Sequence, residues 1–414
     1  MNRKVILLAA GLTALTLSGC GVKYAYELTS PDEVTVKAEA EETVNLNIRY
    51  SDEKYTDYLK NCGAEYEKNH KNVEITLELV ASENYIQGIS DDTIRGGKNV
   101  DLYIAQNNDL GTLYLAGLAA KNTAHEYHNS HYCQTALDAC SYKGNLVAYP
   151  LGYETSFLVY NTDFLSDEDV KTFASMENYS TEIDLSSEEA AGIESIFRCN
   201  ISQMFGNYGF IGAGMTLGGV CGDDPTDFNI NNKQTVKSAE DYLSLIDYFS
   251  LKSDVTYEDC VKQFTSGRIL ATIVRLDAMA DIDAGDVNYR IAGFPDYDNK
   301  SKTAPLSITT AIVVNPYSAN QSDAVEFAKY ITYERADKFY EETGTLSTKR
   351  NAYCANPELT KVYDSYDKSV SKNKLLYGEQ VYPLIEIALH NIVAGEDIKT
   401  ELQKIDDYMK IQLQ

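Results

Sequence analysis

The chain has 414 residues, of which 44% are hydrophobic and 24% charged, and its formal net charge at pH 7 is −26. This composition excludes a disordered or low-complexity protein, and the length predicts two or three folded domains. Such an acidic surface repels the phosphates of nucleic acids and anionic lipid headgroups. We therefore expect no nucleic acid partner and no attraction to a membrane through charge.

The N-terminus has the features of an export signal. Two basic residues precede an apolar run from Val5 to Leu17 that is too short to cross a bilayer as a helix. The run ends in Leu17-Ser18-Gly19-Cys20, which resembles the bacterial lipobox, whose cysteine is acylated after cleavage just before it. We predict a signal peptide over residues 1–19 and a lipid anchor on Cys20. The alternative is an ordinary cleaved signal in which Cys20 is a chance residue.

Seven cysteines follow Cys20, an odd number that leaves at least one thiol free if the others pair within the chain. Cys133 and Cys140 are the pair that we expect to lie closest, but the sequence does not establish which cysteines pair. An anaerobic habitat would leave all seven reduced. None lies in a Cys-x-x-Cys motif, so a zinc or redox motif has no local support.

The remaining chain alternates between strand and helix patterns after residues 20–43, a charged segment without apolar periodicity that predicts a linker. The predicted strands are 44–50, 73–80, 100–105, 146–151, 156–161, 269–274 and 308–314. The predicted helices are 58–69, 84–95, 257–264, 324–333, 358–368, 382–394 and 397–411, and the stretch 187–249 is predicted to be mostly helical. Strand-helix-strand order predicts a parallel sheet with right-handed crossovers in an α/β fold.

The most specific motif after the N-terminal signal lies in the middle of the chain. Residues 142–154 read YKGNLVAYPLGYE and residues 158–165 read LVYNTDFL. These segments resemble the central signature of maltodextrin-type binding proteins of ABC importers, Y-x-G-K-L-x-A-x-P followed by an acidic residue and Y-N-K-D-L. Further matches keep the family's order, at 101–103, 110–118, 264–272, 323–327 and 343–349, with Ser347 where the family usually has proline.

The resemblance implies an α/β protein of the type II periplasmic-binding-protein-like fold. It has two lobes, each a mixed sheet flanked by helices, and a hinge that the chain crosses three times. On this mapping the first lobe comprises residues 44–150 and 308–345, and the second comprises residues 151–307 and 346–414. The lobes are expected to close around a ligand.

The resemblance also implies a function. We expect an extracytoplasmic solute-binding protein that captures a carbohydrate, in the first instance an oligosaccharide, and delivers it to the permease subunits of an ABC importer. No cofactor, metal or catalytic activity is expected. A lipid on Cys20 would retain the protein where no outer membrane confines it, so we expect a Gram-positive-type surface.

Four candidate ligand residues follow two of the predicted strands. Glu154 follows the crossing strand, where the family places a ligand-binding carboxylate, and its alternative is a surface or hinge carboxylate. Asn107, Asn108 and Asp109 follow the strand that ends near Ala105, at the carboxyl end where ligands bind open α/β sheets. The alternative for these three residues is a simple Asn/Asp-rich turn.

Three further charged residues follow the first two strands. Glu53 and Lys54 occupy the loop after the first strand, which is also a family ligand position, and Glu83 comes after the second strand. Each is alternatively a solvated loop charge, and Glu83 is alternatively a helix-start residue.

The candidate residues of the second lobe depart from the family. Arg275 and Asp277 follow the strand ending at Val274, close to where the family often has Gly and Trp, so hydrogen-bonding groups would replace a stacking surface. This departure puts a plain glucan ligand in doubt. Asn200 and Gln203 are weaker candidates because no motif anchors the alignment there.

The chain contains 32 tyrosines and no tryptophan, so any ring that stacks on a sugar must be mainly Tyr or Phe. Tyr382 falls near the family's C-terminal stacking aromatic residue. The alternative is a core tyrosine at the start of an amphipathic helix.

Two segments have the composition of metal sites, and two other functions compete with solute binding. His125, His128 and His131 form H-x-x-H-x-x-H, but the third histidine drifts off the helical face, and a solvated loop is favoured over a metal site. Residues 223–227 are acidic but lack the Gly and Glu of an EF-hand loop. The rival functions are a secreted carbohydrate-active hydrolase, which needs only two placed carboxylates, and a sensory solute-binding lipoprotein.

Overall fold

The computed structural model describes residues 24–30, 33–38, 43–81, 83, 85–95, 100–188 and 190–413. The predicted signal peptide and the predicted lipid site at Cys20 lie outside the described residues. Within the range predicted as a linker, strands β1 (Tyr24–Ser30) and β2 (Glu33–Ala38) pair with each other in an antiparallel hairpin. This part of the predicted linker therefore has regular structure.

Strands and helices alternate through most of the remaining chain. The strands are β3 (Val44–Tyr50), β4 (Val73–Leu79), β5 (Leu102–Gln106), β6 (Ser141–Tyr142), β7 (Asn145–Leu146), β8 (Tyr149–Thr155), β9 (Phe157–Asn161), β10 (Ser195–Phe197), β11 (Thr216–Leu217), β12 (Phe228–Asn229), β13 (Ile269–Val274), β14 (Tyr289–Ala292), β15 (Leu306–Val314), β16 (Leu346–Ser347) and β17 (Val370–Ser371). The α-helices are α1 (Thr56–Asn69), α2 (Tyr85–Ile94), α3 (Leu110–Leu115), α4 (Gln134–Ala139), α5 (Phe173–Glu182), α6 (Met204–Ile211), α7 (Lys233–Phe249), α8 (Tyr257–Thr265), α9 (Met279–Asp283), α10 (Gln321–Lys329), α11 (Phe339–Thr343), α12 (Val362–Asp367), α13 (Val381–Val393) and α14 (Ile398–Gln412).

The first lobe is built on a seven-stranded sheet with the order β16-β8-β15-β5-β3-β4, in which β17 also pairs with β15. Strand β3 runs parallel to β4 and β5, which confirms the parallel pairing predicted from strand-helix-strand order. Strand β15 is antiparallel to both β5 and β8, so the sheet is mixed. The carboxyl ends of β3 and β5 lie at the same edge of this sheet.

The second lobe is built on a four-stranded sheet with the order β10-β13-β9-β14. Its third-position strand, β9, pairs antiparallel with β13 and β14, while β10 and β13 are parallel. The prediction that 187–249 is mostly helical is wrong in part, because β10 and the β11–β12 hairpin interrupt it. Ile196 and Phe197 are buried against the second lobe's core, and this packing outweighs the weak local preference of a three-residue strand.

The boundary between the lobes differs from the predicted one in two places. Strand β8 stays in the first sheet up to Thr155, and β16 and β17 also join that sheet. Assigning all of residues 346–414 to the second lobe is therefore wrong for these two short strands. Helices α13 and α14 do pack in the second lobe's core, through side chains such as Ile385 and Ile405.

Tyrosine builds much of the buried core. The ring of Tyr153 stacks on Tyr366 with 4.0 Å between centroids. The hydroxyl of Tyr58 donates to the Ile331 carbonyl at 2.6 Å, and that of Tyr103 donates to the Leu118 carbonyl at 2.9 Å. A buried tyrosine needs such a partner for its hydroxyl. Many of the tyrosines are thus structural and unavailable for stacking on a ligand.

Among the described residues, no helix combines the length and the apolar character that crossing a bilayer requires.

We predict that Gly152→Ala destabilises the protein. Gly152 lies in β8, and a Cβ added there would come within 2.6 Å of the Phe339 ring and 3.0 Å of Thr345. Phe339 is fully buried against Tyr58, so it cannot move away cheaply. Overpacking of this kind costs about 1–3 kcal/mol in the free energy of unfolding, measurable by urea denaturation.

The matched control is Gly88→Ala in α2, where nothing lies within 4 Å of the added Cβ. Alanine is the better helix former, so this variant should be as stable as the parent or more stable by up to about 1 kcal/mol. Equal destabilisation by both substitutions would contradict the close packing at β8.

Candidate functional site

A cavity of about 400 Å³ opens at the carboxyl ends of β3 and β5, and we call it the first-lobe cavity. Its lining includes Lys54, Tyr55, Tyr85, Gln106, Asp109 and Thr310. The strands bring these residues together because the chain leaves each parallel strand at the same edge of the sheet. The lining therefore combines charged, amide, hydroxyl and aromatic groups.

An ion pair between Lys54 and Glu154 borders the first-lobe cavity. The Lys54 ammonium lies 2.9 Å from Glu154 Oε1 and 3.2 Å from Asp52 Oδ2. Burial opposes its charge, but Tyr55, Glu154 and Asp52 together hold the pKa of Lys54 above its usual value. Both partners are partly exposed, at 33% and 46%, so each can still contact a ligand. Lysine thus stays charged and keeps Glu154 in place at the end of β8.

Asp109 is the most perturbed carboxyl group of the cavity. Burial raises its pKa to about 6, and nearby Glu379 adds to the rise, while a backbone hydrogen bond from Gln106 and the charge of Lys372 oppose it. Near pH 6 this side chain is therefore half protonated and can donate or accept a hydrogen bond.

A second wall of polar residues follows strand β13 in the second lobe. Arg275 pairs with Asp277 at 2.5 Å, and its guanidinium lies over the rings of Tyr257, 4.8 Å from the centroid, and Phe205, 5.9 Å from the centroid. The Tyr257 hydroxyl donates to Asp277 at 2.8 Å and accepts from the Arg275 backbone at 2.9 Å. These contacts fix the guanidinium in one orientation. We call the small space of about 20 Å³ beside it the second-lobe recess.

Glu154 links the two walls electrostatically. The pKa of Arg275 is lowered by burial but raised overall by Asp277, Tyr257 and Glu154. Glu154 therefore contacts Lys54 directly and lies near enough to Arg275 for its charge to favour the charged guanidinium. We call the first-lobe cavity, Glu154 and the second-lobe recess together the cleft. Its charged groups are mostly paired with each other, so they present oriented hydrogen-bonding atoms.

The structure brings only some of the predicted site residues into this cleft. Lys54, Glu154, Asp109, Arg275 and Asp277 line or border it. Their contact with a ligand stays a prediction.

Asn200, Gln203 and Asn108 lie near the cleft and differ in whether their side chains already have hydrogen-bond partners. Asn200 and Gln203 border the second-lobe recess, but the Asn200 amide holds its own turn by bonding to Val255, Ser202 and Gln203. The Asn108 Oδ1 atom is buried and has no hydrogen-bond partner among the described residues.

Four predicted site residues have other positions or roles. Asn107 is fully buried, and its amide bonds the backbone of Thr309 and Lys372, so its side chain holds these segments together and its contact with a ligand stays a prediction. Tyr382 is 4% exposed, packs in the second lobe's core and accepts from the Asn373 backbone, so no face of its ring is open for stacking.

The side chains of Glu53 and Glu83 are exposed and do not line the first-lobe cavity. Their alternative as solvated loop charges is the better description.

Several cleft residues carry no signal that sequence reasoning could use. Tyr55 and Tyr85 look like ordinary aromatic residues of amphipathic helices, and Thr310 lies inside an apolar strand. Tyr257 had a detectable position, because it begins α8 directly after the capping residue Thr256 and lies beside the end of β13. Its place in the cleft could have been predicted by noting that this helix start and the end of β13 lie at the same edge of the sheet.

The described residues include all seven cysteines after Cys20 and the histidines of the H-x-x-H-x-x-H segment. Cys133, Cys140 and the five other described cysteines are free thiols. His128 bonds Ser130, and His131 bonds the Glu126 carbonyl and lies 3.4 Å from the Tyr333 hydroxyl. No group of three potential metal ligands occurs among the described residues.

Comparison with known proteins gives one family match. The model of the family described as bacterial extracellular solute-binding protein matches residues 62–362, which is most of the chain. The match includes strands of both sheets, among them β8, the strand that carries Glu154.

Solved structures of similar fold include three sugar complexes. An extracellular solute-binding protein from Staphylococcus aureus in complex with maltose has a TM-score of 0.79 at 18% identity, over 90% of this chain and 99% of that chain. A cyclo/maltodextrin-binding protein complexed with maltotetraose has a TM-score of 0.77 at 18% identity, over 91% and 99%. A maltose-binding periplasmic protein from Listeria monocytogenes in complex with maltose has a TM-score of 0.74 at 19% identity, over 90% and 98%. These likenesses confirm the predicted two-lobed fold.

We predict that Asp109→Asn stabilises the protein above pH 6 and has little effect near pH 4. With a folded pKa of about 6 against an ordinary value of 3.8, the folded state holds the proton more tightly than the unfolded state. The free energy of unfolding of the parent therefore falls as pH rises between these two values. The variant has no carboxyl group at this position, so its free energy of unfolding does not fall for this reason. The difference should reach about 2–3 kcal/mol by pH 7 in urea unfolding.

Asp57→Asn is the control for this titration, because the Asp57 side chain is 81% exposed. This variant should not reproduce the gain in stability at neutral pH that is expected for Asp109→Asn. A flat difference for Asp109→Asn would mean that Asp109 is not desolvated in the folded protein.

Proposed function

The chain belongs to the family of bacterial extracellular solute-binding proteins, and from that premise we propose that it captures a carbohydrate in the cleft and delivers it to the permease subunits of an ABC importer. As a member of this family it is a binding protein and not an enzyme. The carboxylates of the cleft then serve as hydrogen-bond acceptors and not as an acid and base pair.

The observation that carries the proposal is the oriented set of charged pairs around the cleft. Lys54 with Glu154 and Arg275 with Asp277 offer planar or fixed polar atoms to sugar hydroxyls, while the Tyr257 ring lies beside them. Sugars are bound by such groups together with aromatic faces that contact their C–H surfaces. The maltose and maltotetraose complexes of the similar structures support a carbohydrate as the ligand class.

The absence of tryptophan and the presence of the Arg275–Asp277 pair separate this cleft from one that stacks a glucan between indole rings. A guanidinium and a carboxylate favour binding of a ligand whose hydroxyls lie at matching positions, because a buried polar group left unpaired costs about 1–3 kcal/mol. We infer that the ligand is recognised mainly by hydrogen bonds.

The proposed location is the outer face of a cell membrane, retained by lipid on Cys20. The family description supports an extracellular position. Acyl chains on Cys20 would keep the cleft close to the permease subunits without a membrane-spanning segment. A Gram-positive-type surface is the setting in which such an anchor is needed most.

A thermal-shift screen against neutral, amino and acidic sugars tests the function. A ligand that binds only the folded state at one hundred times its Kd adds about 2.7 kcal/mol to the apparent stability. We expect at least one carbohydrate to raise the Tm and to be recovered intact after incubation. Release of new reducing ends, or shifts only with ligands other than sugars, would overturn the proposal.

Glu154→Gln should weaken binding of the sugar found in that screen by about 10- to 100-fold, since a hydrogen bond to a charged group contributes about 1.5–3 kcal/mol. Isothermal titration calorimetry measures the change. Glu53→Gln is the matched control, because that nearby carboxylate is exposed and outside the cavity lining. If both variants bind as the parent does, Glu154 does not contact the ligand.

Cys20→Ala should release the protein from the membrane fraction into the medium when it is expressed with its own N-terminus. Fractionation followed by immunoblotting measures the distribution. Cys62→Ala is the control, because the Cys62 thiol is fully buried and cannot carry an anchor. Equal membrane retention of Cys20→Ala and the parent would rule out the lipid anchor.

A further inference from the structure

A groove of about 710 Å³ leaves the second-lobe side of the cleft between helices α8 and α9, and we call it the α8–α9 groove. Tyr257 and Arg275 line both the second-lobe recess and this groove, and Asp277 lies in the groove as well. The two spaces therefore adjoin at Tyr257 and Arg275, so a ligand that extends past these two side chains would reach the groove.

The two sides of the α8–α9 groove carry polar side chains at helical spacing. Glu258 and Lys262 are four residues apart on α8, and Asp277 and Asp281 are four residues apart on the turn that leads into α9. Residues at this spacing project from the same side of a helix. The groove thus presents two facing rows of hydrogen-bonding groups.

The floor and the far end of the groove complete this surface. Val261 and Ala278 line it and are only 6% and 4% exposed, so the floor is apolar. Asp281 and Asp286 form no hydrogen bond or ion pair with another described residue, and their oxygens remain open to a ligand. Polar sides over an apolar floor suit a sugar, which has hydroxyls at its rim and C–H groups on its faces.

We propose that the α8–α9 groove binds the later units of an oligosaccharide whose first units lie in the cleft. This inference rests on the proposed carbohydrate function and adds the length and charge of the ligand. Pockets of about 300–1,000 Å³ hold one small ligand each. The cleft cavity of about 400 Å³ takes a short sugar alone, and the adjoining groove of about 710 Å³ has room for more units.

The charge of the combined surface restricts the class of oligosaccharide. Its carboxylates are Asp52, Asp109, Glu154, Glu258, Asp277, Asp281 and Asp286, whereas its cations are Lys54, Lys262 and Arg275. Both basic residues of the cleft are already paired with carboxylates, and in the groove the single cation Lys262 is outnumbered by Glu258, Asp277, Asp281 and Asp286, so an anionic ligand would meet net repulsion. The ligand is a neutral or cationic oligosaccharide, and chains of uronic acids are excluded.

Calorimetry with ladders of two to six units tests the inference. The ligands are malto-, xylo-, manno- and glucosamine oligosaccharides, with oligogalacturonates as the anionic set. In a ladder that binds, Kd should fall by about tenfold between two and four units, the gain from one or two added hydrogen bonds. Oligogalacturonates of the same lengths should not bind.

Two variants locate the added contacts. Asp281→Ala removes one acceptor, and Ala284→Trp fills the α8–α9 groove from an exposed position that tolerates a large side chain. Both variants should lose the extra affinity for the four-unit sugar, while the Kd for the two-unit sugar changes by less than about twofold. Glu240→Ala, on the exposed face of α7, is the matched control and should bind both lengths as the parent does.

The outcomes separate this inference from the proposed function. The proposed role of the groove would be overturned by equal Kd values for two and four units in the parent, or by equal losses of affinity for both lengths in Asp281→Ala and Ala284→Trp. Tight binding of oligogalacturonates would overturn the proposed charge of the ligand. Binding of no ladder at all would overturn the carbohydrate function itself, and the groove with it.

Discussion

The crossing between the two sheets at Ser156 is the constraint on which the cleft depends. Strand β8 ends in the first sheet at Thr155, and β9 begins in the second sheet at Phe157, so one residue separates the sheets. The Thr155 hydroxyl donates to the Leu306 carbonyl at 2.9 Å, where β15 starts and the chain has just returned from the second lobe. Two crossings are thus tied side by side, which fixes where the two sheets meet.

The position of Glu154 follows from the same crossing. As the last but one residue of β8, it is held by the pairing of β8 with β15, and Lys54 reaches it from the loop after β3. A carboxylate at this point forms an ion pair with Lys54 on one side, and its negative charge also favours the charged form of Arg275 on the other. Hinge motion would change the distance to Arg275 more than the distance to Lys54, which makes this carboxylate sensitive to lobe closure.

Much of the fold could be predicted from the sequence, because alternating apolar residues mark β3, β4 and β5 and the family signature marks β8 and β9. The candidate site was harder to predict. Asn107 and Tyr382 have the residue types and chain positions of ligand contacts, but tertiary packing buries both of them. Whether a polar side chain points into a cleft or into a core depends on neighbours hundreds of residues away, such as Thr309 for Asn107. The pattern of apolar and polar residues along the sequence therefore predicted where the strands end. It could not predict into which space each side chain points.

The described cysteines give the molecule a property that bears on where it can work. All seven are free, and burial raises the pKa of the Cys62 and Cys140 thiols to about 12, so these groups are poor nucleophiles at neutral pH. The described part of the chain is held by packing, hydrogen bonds and ion pairs, with no disulfide bond. Folding of this part therefore calls for no catalyst of disulfide formation.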